Sequence, residues 1–360
     1  MDDHGNRLAA LRDRVQGQPL YVSKLVNIRY LTGFTGSAAQ LLVTADSATL
    51  FTDSRYAVQA PEQVKCADVR ISSGDVRITL AAAARRLRLK RLRFEASHLD
   101  YETYSYLQGE LPRCRLMPVR SVVERLRQVK SAAEIAAIRA SLELNSAAFE
   151  DVCASLDGGW SEVRIAAELE SAMRRRGAQG ASFPTIVASG EHGARPHAEP
   201  RNLRIEPRAL VVVDHGAKLG GYCSDMTRMV ALGDPGAAQR ELVRAVLEAQ
   251  AAAIDAIRPG VQCRTVDGRA REVLKKSTVA GSRLDELFVH STGHGLGLEI
   301  HEGPRIAPGQ QQRLRPGMVV TVEPGVYVEG VAGVRIEDMV AVTESGCEVL
   351  TRTPRELRLL

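Results

Sequence analysis

A chain of 360 residues with 44% hydrophobic and 25% charged side chains has an ordinary globular composition, and its length favours two domains over one core. The net charge of +5 demands no acidic partner, and aromatics at 4% are too sparse for base-stacking platforms, so no nucleic-acid partner is expected. Cys66, Cys114, Cys153, Cys223, Cys263 and Cys347 are scattered without a CxxC pair, which excludes a zinc ribbon and fits the reduced thiols of a cytoplasmic protein. The N-terminal stretch MDDHGNRLAALRDR lacks the apolar core of a signal peptide, and no apolar run is long enough to span a bilayer. A soluble cytoplasmic protein with no membrane partner is expected.

Residues 1 to about 125 read as short alternating strands and helices. Leu41 to Val43 and Thr49 to Thr52 are expected as neighbouring strands across the turn Ala45-Asp46-Ser47, and Arg77 to Leu89 has helical spacing. The basic cluster Arg85, Arg86, Arg88, Lys90, Arg91 and Arg93 reads as a solvated face. A domain boundary is expected near 125, giving domains 1–125 and 126–360. Ser131 with Glu134 forms a capping box for a long helix to about Leu156, and a second helix should run from Ser161 to Arg176, stopped by Gly177. Trp160 is placed to staple that second helix. A hairpin is expected from Ala209 to Val230 around Gly220-Gly221, then helices over roughly 237–257 and 265–277, then strands to the end. The second domain is therefore α+β.

The chemistry concentrates in that second domain. Asp214 and Asp225 lie in VVVDHGAKLGGYCSDMTRMV, His294 in STGHGLGLEIHEGPRI, and Glu323 and Glu337 in VVTVEPGVYVEGVAGVRIEDMV. Carboxylates inside runs of Val, Met and Ile are costly to bury unless a cation compensates them. Ligands on adjacent strands can face each other closely enough to share ions, and two divalent cations would relieve the repulsion among four carboxylates. Hard oxygens with one imidazole suit Mn²⁺ best, with Co²⁺, Zn²⁺ or Fe²⁺ tolerated.

These segments resemble the pita-bread-fold metallopeptidases, most closely the branch of aminopeptidase P and prolidase (Xaa-Pro dipeptidase). NIRYLTGFTGS and LFTDSRY look like the creatinase-type N-terminal domain. The resemblance covers nearly the whole chain and meets all five ligand positions in order. It implies a pita-bread catalytic domain behind a smaller α/β domain. It also implies a dinuclear-metal exopeptidase that cleaves the N-terminal Xaa-Pro bond of proline-containing peptides with a hydroxide shared between the ions. Asp214 would bind one metal, Asp225 and Glu337 would bridge both, and His294 and Glu323 would complete the other, with Glu323 also acting as base. His197 in ARPHAEP would approach the substrate, His301 would stabilise the tetrahedral intermediate or shuttle protons, and Arg335 would support the site. Met229 and Glu191-His192 depart from the family pattern, away from any ligand position.

Phe183 and Tyr327 are further expected as pocket walls, and Arg305 in HEGPRI as a group for a free substrate carboxylate. His4, His98 and His290 read as structural or surface residues. Singly, each candidate also has an ordinary reading: Asp214 as a turn former, Asp225 and Glu337 as strand-surface acids, His301 as a core histidine, His197 as a loop residue, Arg335 as an ion-pair partner. The ordered set is what favours catalysis. The expectation leans to a broad aminopeptidase P, with a dipeptide-restricted prolidase as the alternative. A creatinase-like hydrolase or a non-catalytic binding protein is more distant, since neither keeps the ligands. Relatives of this type pair as homodimers, which points to Asn27 to Phe34 as the stretch that approaches a partner's site.

Overall fold

The computed structural model describes residues 3–279 and 281–360; the first two residues of the polar N-terminal stretch lie outside them. The chain divides into two compact units, one ending at Arg127 and the other beginning at Gln128. No helix among the described residues is long and apolar enough to cross a membrane.

The first unit is built on a six-stranded mixed sheet. Its strands run in the order Asp68–Ser72, Ala48–Asp53, Gln40–Val43, Leu20–Val22, Arg91–Glu95, Arg115–Val119. Strands 40–43 and 48–53 pair antiparallel across the expected turn. Strand alternation sends Tyr21 into a cluster with Leu80, Ala84 and Leu107 from helices Val76–Arg86 and Tyr101–Glu110, and sends the buried Leu20 and Val22 to the opposite face. The unit is therefore α/β.

The second unit combines a four-stranded and a five-stranded sheet with two pairs of helices. Helices Ala132–Ser155 and Glu162–Arg175 form one pair, and helices Ala237–Asp255 and Cys263–Leu274 form the other. Alternate residues of the same strands serve opposite pairs. Val211, Val213, Val319, Met339 and Ala341 pack with the first pair, whereas Leu210, Val212, Val320, Val340 and Val342 pack with the second. The strands are covered on both faces, which is why they read as unbroken apolar runs instead of an alternating pattern. This is the α+β arrangement expected.

Local signals act as written. Ser131 and Glu134 make the reciprocal capping box, and Gly177 ends the second helix region at a positive φ of 99°. Trp160 precedes the cap Ser161 and shares a core cluster with Ile165, as a staple would. The 209–230 hairpin is nested. Strands Leu210–His215 and Met226–Ala231 pair with each other, and a smaller pair, Ala217–Leu219 with Tyr222–Cys223, turns between them at Gly220-Gly221. All six cysteines are free thiols.

Candidate active site

Both carboxylate-bearing hairpins are nested, and each carries its acids where an outer strand pair ends. In the first, Asp214 lies opposite Thr227, with Asp225 one residue before the returning strand. In the second, the outer strands Val319–Val322 and Asp338–Val342 pair up to Val322 and Asp338, which places Glu323 and Glu337 side by side just beyond. Main-chain pairing thus delivers four acids to one place.

Each helix pair contributes one amide side chain that fixes these strand ends. Asn145 Nδ2 donates to the His215 carbonyl at 3.1 Å, and His215 Nδ1 donates back to Asn145 Oδ1 at 2.8 Å. Burial pushes the His215 imidazole down to about 3, so it is neutral and stacks on Phe149. From the other side, Gln250 Nε2 donates to the carbonyls of Val322 and Ile336, each at 3.2 Å. The fully buried Arg228 donates to the Glu337 carbonyl at 2.6 Å and to Asp338 Oδ1 at 2.7 Å, holding the segment from beneath.

His294 enters on strand Gly293–Gly295. Gly293 must lack a side chain, because a Cβ there would stand 1.9 Å from the Thr321 carbonyl oxygen. His294 Nδ1 donates to the Gly295 carbonyl at 3.0 Å, which leaves the Nε2 lone pair free. That Nε2 stands 3.6 Å from Asp225 Oδ2 and 3.5 Å from Glu323 Oε1. Asp225, His294 and Glu337 each offer one ligand atom within 4.8 Å of the others. Thr227 Oγ1 donates to Glu337 Oε2 at 2.8 Å, Thr321 Oγ1 to Glu323 Oε1 at 3.4 Å, and Arg335 Nη2 to Asp214 Oδ2 at 2.5 Å.

The cluster is electrostatically unfinished. Burial, reinforced by Glu337, Asp214 and Glu323, raises the Asp225 carboxyl well above the usual range, and burial with Glu323 and Asp214 does the same to Glu337. Burial pushes Glu323 up to about 7. Asp214 Oδ1 and Glu337 Oε1 are buried without a hydrogen-bond partner among the described residues. Carboxylates crowded in this way are the environment a divalent cation would complete.

These residues open into a cavity of about 710 Å³ whose lining includes Phe183, His197, Asp214, Asp225, His290, His294, His301, Arg305, Glu323, Arg335 and Glu337. His301 stacks edge-on against His294 at 4.5 Å between ring centres. Burial, then the neighbouring His294, His197 and Arg305, lowers its imidazole. The guanidinium of Arg305 makes no hydrogen bond or ion pair among the described residues and is exposed to the cavity. Tyr327, expected as a pocket wall, is set behind the lining instead. It accepts from Arg335 Nη1 at 2.7 Å and donates to His290 Nε2 at 2.8 Å, supporting two residues that do face the cavity.

Sequence reasoning missed His290 and the two threonines. His290 read as structural, yet it lines the cavity four residues before His294, a spacing that could have flagged it. Its Nδ1 donates to the Ser291 carbonyl, so the proton positions along Ser291, His290, Tyr327 and Arg335 are fixed in one direction. Thr227 and Thr321 carry no sequence signal; only pairing places their hydroxyls on carboxylates.

Comparison with known proteins agrees with this geometry. Residues 136–344 match the model for metallopeptidase family M24, and residues 7–129 match the creatinase/prolidase N-terminal domain. An uncharacterized peptidase of Bacillus subtilis (strain 168) is 39% identical over 95% of both chains. Among solved structures, an Xaa-Pro dipeptidase from Bacillus anthracis superposes with a TM-score of 0.95 at 36% identity, covering 99% of this chain and 100% of that one. An X-Pro aminopeptidase from Thermotoga maritima MSB8 superposes with a TM-score of 0.91 at 34% identity, covering 97% and 99%. The chain belongs to metallopeptidase family M24, hydrolases that work with divalent metal ions, and it carries their pita-bread catalytic fold behind a creatinase/prolidase-type N-terminal domain.

Proposed function

We propose that the chain is an exopeptidase that hydrolyses the bond between an N-terminal residue and proline, with two divalent ions held by Asp214, Asp225, His294, Glu323 and Glu337. The observation that carries this reading is the convergence of those five side chains in one cavity with His197, His301 and Arg305. Two buried carboxylate oxygens without hydrogen-bond partners among the described residues, Asp214 Oδ1 and Glu337 Oε1, support the fit of cations to the cluster. The donor set of four carboxylates and one imidazole favours Mn²⁺. When bound, the ions would offset the clustered negative charge, ease the ionisation of water and polarise a carbonyl.

The remaining roles fall to side chains. A Glu323 carboxylate oxygen would take a proton from the attacking water and return one to the leaving nitrogen. That nitrogen belongs to proline and has no N–H, so it must be recognised by shape, with Phe183 as an apolar wall for the ring. His301 would hydrogen-bond the carbonyl oxygen as charge develops there, and His197 would contact the substrate from the facing wall. Arg335 keeps Asp214 in place.

Two versions of this activity differ in peptide length. A dipeptide ends in a carboxylate on the proline itself, and the unpaired guanidinium of Arg305 is the group to receive it. Arg305 therefore favours a dipeptidase of the prolidase type, while the longer-peptide aminopeptidase is the second reading. The two structural relatives divide in the same way. The reading also carries a cytoplasmic homodimer, and light scattering that gives a monomer at working concentration would remove the dimer.

Protein stripped of metal and reloaded with Mn²⁺ tests the reading on Ala-Pro and Ala-Pro-Ala, with Gly-Leu as control. Cleavage of Ala-Pro alone gives the dipeptidase, and cleavage of the tripeptide gives the aminopeptidase. Bound metal without cleavage of either returns the creatinase-like and non-catalytic readings.

A further inference from the structure

Glu162 is fully buried at the first position of helix Glu162–Arg175, outside the cavity lining. An acid there ordinarily faces water and offsets the helix dipole. This one turns inward, and among the described residues all of its side-chain partners belong to one segment of chain, residues 189–201. At the segment's start, Ser189 donates to Glu162 Oε1 through its amide at 2.8 Å and its hydroxyl at 2.7 Å. His192 Nδ1 donates to Oε2 at 3.0 Å. At the far end, the Arg201 amide donates to Oε2 at 2.8 Å, Nε to Oε2 at 3.2 Å and Nη2 to Oε1 at 3.1 Å.

Between these anchors the segment runs as a strap along the cavity. Gly193 lies against Gly333, where an added Cβ would stand 1.7 Å from the Gly193 carbonyl oxygen. The Pro196 carbonyl accepts from Arg335 Nη1 at 3.1 Å. The next four residues, His197 to Pro200, all line the cavity. One carboxylate thus holds both ends of the strap whose middle presents His197.

We infer that Glu162 is a positioning residue: it sets where His197 stands, and the handling of substrate at that wall depends on it. The inference rests on the exopeptidase reading for its kinetic consequence, not for its structural one. Misplacing a substrate contact by about 1 Å can cost on the order of 100-fold in rate. Glu162→Gln keeps the shape, removes the charge and turns an NH₂ toward N–H donors.

The test is a double-mutant cycle with His197→Ala on Mn²⁺-loaded enzyme, read together with metal content and, on the diamagnetic Zn²⁺-loaded enzyme, the histidine ring resonances in NMR. Glu162→Gln should lower kcat/KM for Ala-Pro by roughly 10- to 100-fold. It should keep wild-type metal content, move the His197 ring resonance and leave that of His301 in place. The double variant should then lose no more in total than His197→Ala loses alone. Losses that multiply, an unmoved His197 resonance, or a metal loss parallel to the activity loss overturns the inference. If Glu162→Gln does not fold, Arg201→Ala removes two of the same bonds from an exposed side chain and should give a smaller change in the same quantities; wild-type behaviour there overturns it equally. An inactive wild type sinks the exopeptidase reading alone, and the resonances then decide the positioning role.

Discussion

Arg335 Nη2 stands 2.5 Å from Asp214 Oδ2, while Nη1 of the same guanidinium donates to the Tyr327 hydroxyl at 2.7 Å and to the Pro196 carbonyl at 3.1 Å. One buried cation thereby ties a carboxylate of the first nested hairpin to the second hairpin and to the strap that bears His197. Lysine keeps the charge but cannot span these acceptors with a single ammonium. Arg335→Lys should lose about 10- to 100-fold in metal affinity or turnover, as is usual when the partner of a ligand is removed. Metal titration beside steady-state kinetics checks this, and wild-type values in both would make Arg335 a spectator.

Asp225 and His301 should separate metal content from chemistry. Asp225→Asn removes an oxygen anion from the group in which Asp225, His294 and Glu337 converge, so metal content and turnover should fall together. Because the substitution also removes one of several crowded negative charges, the stripped variant should melt no lower than the stripped wild type. His301→Ala removes only a ring stacked on His294 and should lower kcat by about 100-fold or more with metal retained. Metal analysis and thermal melts of the two variants decide it; equal loss of metal in both would make His301 structural.

Arg305 bears on peptide length. A hydrogen bond to a charged group contributes about 1.5–3 kcal/mol, so Arg305→Ala should raise KM for Ala-Pro roughly 10- to 150-fold. Ala-Pro amide, which has no terminal carboxylate, should be handled alike by variant and wild type. An equal rise for both substrates would show that Arg305 shapes the wall without reading the carboxylate.

Acid should expose the role of Glu162 in stability. Burial pushes this carboxyl up, but the bonds from Arg201 and Ser189 outweigh it and hold the carboxyl below its ordinary value of 4.5. A carboxyl lowered in the folded state contributes stability that is present above 4.5 and is lost as pH falls through the folded value. The Tm difference between wild type and Glu162→Gln should therefore be constant above about pH 5 and shrink as the medium becomes more acidic. A difference that does not change with pH would mean that the carboxylate charge is not what holds the strap.

The sequence discloses elements that depend on neighbours along the chain. The capping box at Ser131, the Gly177 stop and the Trp160 staple all rest on local spacing, and the α+β character follows from the order of such pieces. The acids are legible because Asp214 and Glu337 interrupt apolar runs. What escapes is whatever depends on register between distant segments. That Thr227 reaches Glu337, or that Tyr327 stands behind Arg335 and not in the wall, follows from pairings that no window of sequence contains. Glu162 escaped for the same reason: its partners lie 27 to 39 positions away, and in the sequence it is one more acid opening a helix.

The contact between Gly193 and Gly333 also bears on how descendants of this chain can diverge. Two main chains touch there with no side chain between them, so any residue other than glycine at position 333 forces them apart and disturbs the wall. Drift is closed at that point. New substrate preferences would have to arise by exchanging side chains that line the cavity, among them Phe183, Arg305 and those of residues 196–200, while the path of the strap is inherited unchanged.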